Sequence, residues 1–101
     1  MSDNHVVMLK KKASAIMVMA TVGSGDWSWL EELSRIYDDD TWNAISEDPG
    51  LLNNAEEPVT IGDDGRLWDG HHRVLWAWLN GDCLVTVKLI LDPFLSGARN
   101  R

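Results

Sequence analysis

Apolar positions along the chain change their period several times, and each period predicts a different element. Val6 to Leu9 and Ala15 to Val22 carry the β-branched and apolar residues that suit strands. Met and Ala leave the second segment open to helix, but its apolar run between three lysines and a Gly-Ser-Gly turn predicts a buried strand. Gly23-Ser24-Gly25-Asp26 then breaks the chain, and Asp26 is a candidate cap for a helix from Trp27 to Tyr37. Trp29, Leu33, Ile36 and Tyr37 recur on one face of that helix, which leaves Glu31, Glu32 and Arg35 for the wet side. Asp38-Asp39-Asp40-Thr41 ends it and caps a shorter helix from Trp42 to Glu47, which Pro49-Gly50 stops.

The second half alternates more regularly. Pro58 to Ile61 and Arg66 to Trp68 read as short strands around Gly62-Asp63-Asp64-Gly65, whose residues are those a hairpin turn demands. His71 to Leu79 comes next as a helix, with Val74, Leu75, Ala77 and Trp78 inward and Asn80-Gly81 as its stop. Leu84 to Leu91 is a largely buried strand, with Val85, Val87 and Leu89 on one face, Lys88 opposed to them, and Pro93 and Gly97 beyond its end. Strands mixed with helices at this length predict an α+β domain with a small mixed β-sheet. At 101 residues the chain fits one domain, 1–101, in which 92–101 form a flexible tail.

A net charge of -7 argues against broad attachment to DNA backbone, which depends on clustered Lys and Arg. Lys10, Lys11 and Lys12 form one basic run and Arg99 to Arg101 a weaker patch, both expected to be solvated loops. The single cysteine, Cys83, has no internal partner, and no apolar stretch is long enough for a membrane span. A reducing cytoplasm is therefore the expected compartment, with no membrane contact. Six tryptophans read first as core and rim packing and, more sharply, as a partner-binding face.

Asp69-Gly70-His71-His72-Arg73 joins the end of a strand to the start of a helix. Glycine there lets backbone approach a ligand, and the helix start offers unpaired N–H groups with partial positive charge, so phosphate is the natural guest. Gly70, His71, His72 and Arg73 are the candidate phosphate contacts; His71, His72 and Asp69 are the candidate catalytic residues. Arg73 would neutralise a phosphate and an imidazole would donate to an oxygen. Asp69 would orient an imidazole or bind through Mg²⁺, or else cap the helix. Adjacent helical residues project about 100° apart, which argues against a shared zinc on His71 and His72. His5 reads as a mobile, exposed histidine near a terminus. The acidic triplet, which could hold a divalent cation, reads first as solvated capping carboxylates.

Pro58-Val59-Thr60-Ile61, Asp64-Gly65, Asp69 to Val74, Ala77, Gly81 and the closing Val85-Thr86-Val87-Lys88 together resemble the ParB/sulfiredoxin superfamily, over residues 51 to 91. That resemblance implies a nucleotide, ATP, ADP or CTP with Mg²⁺, whose phosphates rest on Gly70 to Arg73. Its branches differ in chemistry: a CTP clamp switch, phosphorylation of a sulfinic acid, phosphorylation of free serine and, in other members, nuclease activity. Fold resemblance does not choose among them. His71 stands where the sulfiredoxin pattern has its reactive cysteine, so Cys83 reads instead as a small buried residue opening the last strand. His72 replaces the first arginine of the partition-protein pattern. The serine-kinase-like branch shares Asp-Gly-His-His-Arg most literally but also needs an acidic base, for which Asp26, Glu31 and Glu32 are candidates by position.

Two function classes emerge. One is a small nucleotide- or phosphate-binding domain, with phosphoryl transfer or nucleotide hydrolysis as its enzymatic form. The other is an interaction protein of the kind a bacteriophage or mobile element encodes, docking on a host protein through an acidic, Trp-rich surface.

Overall fold

A computed structural model describes residues 5–91. The expected tail at 92–101, with Pro93, Gly97 and the Arg99 to Arg101 patch, lies outside the described residues. The order is β1 (His5–Lys12), α1 (Ala13–Met19), α2 (Trp29–Ile36), α3 (Asp40–Glu47), a 3-10 turn (Pro49–Asn53), β2 (Val59–Ile61), β3 (Leu67–Asp69), α4 (His71–Leu79) and β4 (Leu84–Leu91). The result is an α+β domain with four helices and one mixed sheet among the described residues, as the alternating periods predict.

The sheet runs β1-β4-β2-β3. β1 pairs antiparallel with β4, β4 parallel with β2, and β2 antiparallel with β3, with an irregularity between Thr60 and Ile61. The β2–β3 hairpin closes over 62–65, so Gly62 N donates to Arg66 O at 2.9 Å and Gly65 N to Gly62 O at 3.1 Å. Ile16, Val59, Ile61, Leu67, Val74, Ala77, Val85 and Val87 form the main core, and Ile36, Trp42 and Leu75 a smaller one beside it. Trp42 is buried, while Trp29, Trp76 and Trp78 pack partly against these clusters. Among the described residues, no helix is long and apolar enough to cross a membrane.

Four sequence expectations are corrected. The predicted strand at Ala15 to Val22 is mostly helix α1, in which Ala13 and Ile16 lie about one turn apart on the same face and are fully buried. Its first turn is held by a distant residue: Asp82 accepts from Ser14 N at 2.8 Å and Ser14 Oγ at 2.6 Å. Only Thr21 behaves as strand, bridging Arg66. The lysine run is not a loop, since Lys10, Lys11 and Lys12 pair with Thr86, Val85 and Leu84 in β1. His5 is exposed but belongs to the same ladder, opposite Leu91.

The third correction concerns α2. Its cap is Ser28, whose hydroxyl accepts from Glu31 N while the Glu31 carboxylate accepts from Ser28 N, a complete capping box. Asp26 instead pairs with Arg66 at 3.0 Å. Glu32, expected on the wet side, is buried at 4% exposure, and Tyr37 is 60% exposed. The fourth is Cys83, which is half-buried and precedes β4, with Sγ 3.2 Å from Asn80 O.

Candidate functional site

The turn from β3 into α4 is built around Gly70, which caps the helix with φ 110° and ψ 20°. A Cβ there would come within 2.6 Å of Val59 Cγ2, so both the left-handed conformation and the floor of β2 demand glycine. Gly70 has no side chain to cap α4, and among the described residues no side chain accepts from its first-turn amides. Its leading amides and their partial positive charge therefore face outward. They open on a cleft of about 520 Å³. Gly70, His71, His72 and Arg73 form one wall, with Glu32 from α2, Thr41 from α3 and Asn54 and Glu57 from the connecting segment opposite.

His71 is anchored by a contact that no local pattern reveals. Its Nε2 accepts from the backbone N–H of Gly23 at 3.0 Å, and its ring lies 5.9 Å from that of Trp29. Burial pushes its pKa below the usual imidazole value, against the opposing pull of the Glu32 carboxylate. A ring nitrogen that accepts an N–H carries no proton, so this bond belongs to the neutral ring. Because Nε2 is the acceptor, the ring proton belongs on Nδ1.

His72 meets a different partner. Its Nε2 lies 2.8 Å from Asp39 Oδ2, while Asp39 Oδ1 accepts from Trp42 N at 2.9 Å and so caps α3. Partial removal from water raises the Asp39 pKa, but the bonds from His72 and the Trp42 amide outweigh it and hold it below the ordinary carboxylate value. The two imidazoles therefore point at separate partners rather than at one point. Among the described residues no group of three or more His, Cys, Asp or Glu side chains converges as a metal site.

Arg73 and Asp69 stand at the rim. The guanidinium donates to the Glu57 carbonyl and makes a long contact, 3.5 Å, with Asp69 Oδ2. Asp69 is well exposed, and that contact spans one helical turn. Arg73 itself is largely enclosed, so its position is fixed before any ligand arrives.

Two residues gain weight from the structure. Glu32 lines the cleft with Oε1 held by Trp27 Nε1 at 2.7 Å and Ser24 Oγ at 3.0 Å. A signal for it exists in the spacing, since Glu32 lies three residues after Trp29 and four before Ile36, on the apolar face. Asp39 reads from sequence first as a cap, and its second bond reaches a residue 33 positions away. Of the other candidate bases, Asp26 is tied to Arg66 and Glu31 to its capping box. No family model, curated protein or solved structure matches this chain.

Proposed function

We propose that the cleft at the start of α4 binds a nucleotide or another phosphate-bearing small molecule, with Mg²⁺ arriving on the phosphates. One observation carries the reading: a helix start with no side-chain cap among the described residues opens into a cleft lined by Gly70, two imidazoles and a guanidinium. Backbone N–H groups and the helix dipole favour an anion there, and Arg73 adds a fixed positive charge. A volume of about 520 Å³ falls in the range of small-molecule sites. The resemblance of Asp69 to Val74 to the ParB/sulfiredoxin superfamily leads to the same place, and the mixed sheet accords with it.

Calorimetric titration with ATP, ADP and CTP in the presence of Mg²⁺ tests this. Saturable heat with at least one nucleotide, reduced at least about tenfold in affinity by Arg73→Ala, is the expected result. Circular dichroism of the variant separates lost binding from lost folding. No heat with any nucleotide at millimolar concentration would transfer the reading to docking on a host or partner protein. That second reading draws on Trp68, which is 50% exposed and hydrogen-bonded to the acidic Asp64.

A further inference from the structure

We infer that Asp39 and His72 form a proton-accepting dyad in the cleft, with His72 as the base and Asp39 as the residue that positions it. The inference rests on the phosphate reading for its substrate, a nucleoside triphosphate, but on geometry alone for its tautomers. An ionised carboxylate can only accept, so the 2.8 Å contact between His72 Nε2 and Asp39 Oδ2 places the ring hydrogen on Nε2. In the neutral ring the remaining nitrogen, Nδ1, carries the lone pair. It makes none of the hydrogen bonds among the described residues, and no buried side-chain nitrogen or oxygen there lacks a partner. Nδ1 is therefore open to solvent, on a residue that lines the cleft.

His71 has the opposite arrangement. Gly23 N–H occupies its Nε2, so the proton sits on Nδ1 and the ring offers a donor. Two neighbouring histidines thus divide the work: His71 donates to a phosphate oxygen and His72 takes a proton. Sequence treats the two imidazoles as interchangeable; their partners at positions 23 and 39 make them different.

The reaction this permits is attack by water or an alcohol on the terminal phosphate. The nucleophile gives its proton to His72 Nδ1 as its oxygen bonds to phosphorus. The bridging P–O bond breaks, and its electron pair leaves with the nucleoside diphosphate. Asp39, still ionised, stabilises the imidazolium that results. The proton returns to solvent when the product departs.

Asp39→Asn is a discriminating variant because asparagine caps helices as well as aspartate does. Trp42 N keeps the side-chain oxygen, so the amide NH₂ faces His72 Nε2 and drives the ring proton to Nδ1. Asp39→Ser retains a cap but is too short to reach the ring, and should give a mixture. Long-range ¹H–¹⁵N spectra of histidine-labelled protein, above the pH of imidazole protonation, read both tautomers directly. The expected result is Nε2–H for His72 and Nδ1–H for His71 in the wild type, with His72 inverted in Asp39→Asn. Wild-type His72 protonated on Nδ1, or no change in the variant, would overturn the dyad.

Turnover supplies the second arm. Phosphate release from ATP or CTP with Mg²⁺, to water or to small alcohols, should fall about 10²–10⁴-fold in kcat for Asp39→Asn, with KM changed less than about threefold. A wild type that binds nucleotide but transfers no phosphate would overturn the base assignment. A wild type with the expected tautomers and no nucleotide heat would overturn the phosphate reading instead.

Discussion

The start of α4 and the far end of the β1–β4 ribbon are held by different means. At α4, contacts join segments distant in sequence: His71 to Gly23, His72 to Asp39 and Arg73 to Glu57. Directly behind them Val74 and Leu75 are fully buried. Along the ribbon, eight cross-strand pairs run from His5↔Leu91 to Lys12↔Leu84, while β2 supports β4 only at Val87, Lys88 and Leu89. Every residue of β1 is exposed except the half-buried Leu9. At its far end the ribbon is carried mainly by its backbone ladder. Positioned chemistry needs tertiary anchors, because a side chain aimed by one neighbour keeps its rotamer freedom while one bonded across segments does not.

The most severe way to break that contrast is at Gly70. Gly70→Ala forces a Cβ into Val59 and a side chain into a left-handed conformation, and should cost on the order of 3 kcal/mol. Gly81 has a similar φ, 102°, but nothing lies within 4 Å of an added Cβ. Gly81→Ala should therefore cost only the conformational strain, about 1–2 kcal/mol. Urea denaturation of the two variants measures the difference. Equal losses would mean that close packing of β2 beneath the α4 start adds nothing to the demand for glycine.

Legibility in the sequence divides along the same line. The β2–β3 hairpin, α4 and β4 can be read because turn residues, helical spacing and an apolar run are local signals. The helix start at Gly70 is legible for the same reason. Helix α1 is not, since Ala and Met permit both states and the deciding bonds come from Asp82. The lysines of β1 look like loop residues because their cross-strand partners lie more than seventy positions away. Glu32 is misplaced by its charge: polarity argues for the wet face although spacing argues for the buried one. Asp39 is legible as a cap and not as a site residue, because one carboxylate oxygen serves each role and only the first partner is local.

Acid should sharpen the contrast in two separate steps. In the unfolded chain His71 takes its proton near 6.5, whereas the folded chain takes it only at lower pH. Between those values the unfolded state binds more protons, so stability falls as pH drops; above 6.5 both states are neutral at this position and it adds no slope. Asp39 acts below 3.8, where the unfolded carboxyl protonates first and the folded state again loses ground as pH falls. Asp82, held low by its two bonds from Ser14, works in the same direction and window. His71→Asn should remove the upper step and leave the lower one. Asp39→Asn should reduce the lower step without abolishing it. Urea midpoints across the acid and neutral range would show both. Loss of the lower step in His71→Asn, or of the upper step in Asp39→Asn, would contradict the separate anchoring of the two side chains.

The smallest effect belongs to the ribbon. Val6 is 53% exposed and pairs with Ile90 beyond the part of β4 that β2 supports. Val6→Thr keeps the β-branched shape that suits a strand and removes little buried apolar area. Stability should change by less than about 0.5 kcal/mol, and nucleotide heat should not change. A loss above about 1 kcal/mol that grew with protein concentration would show that something covers this strand in solution. The edge would then be an anchored region too, through a second copy of the chain rather than through its own core, because only an intermolecular contact makes stability depend on concentration.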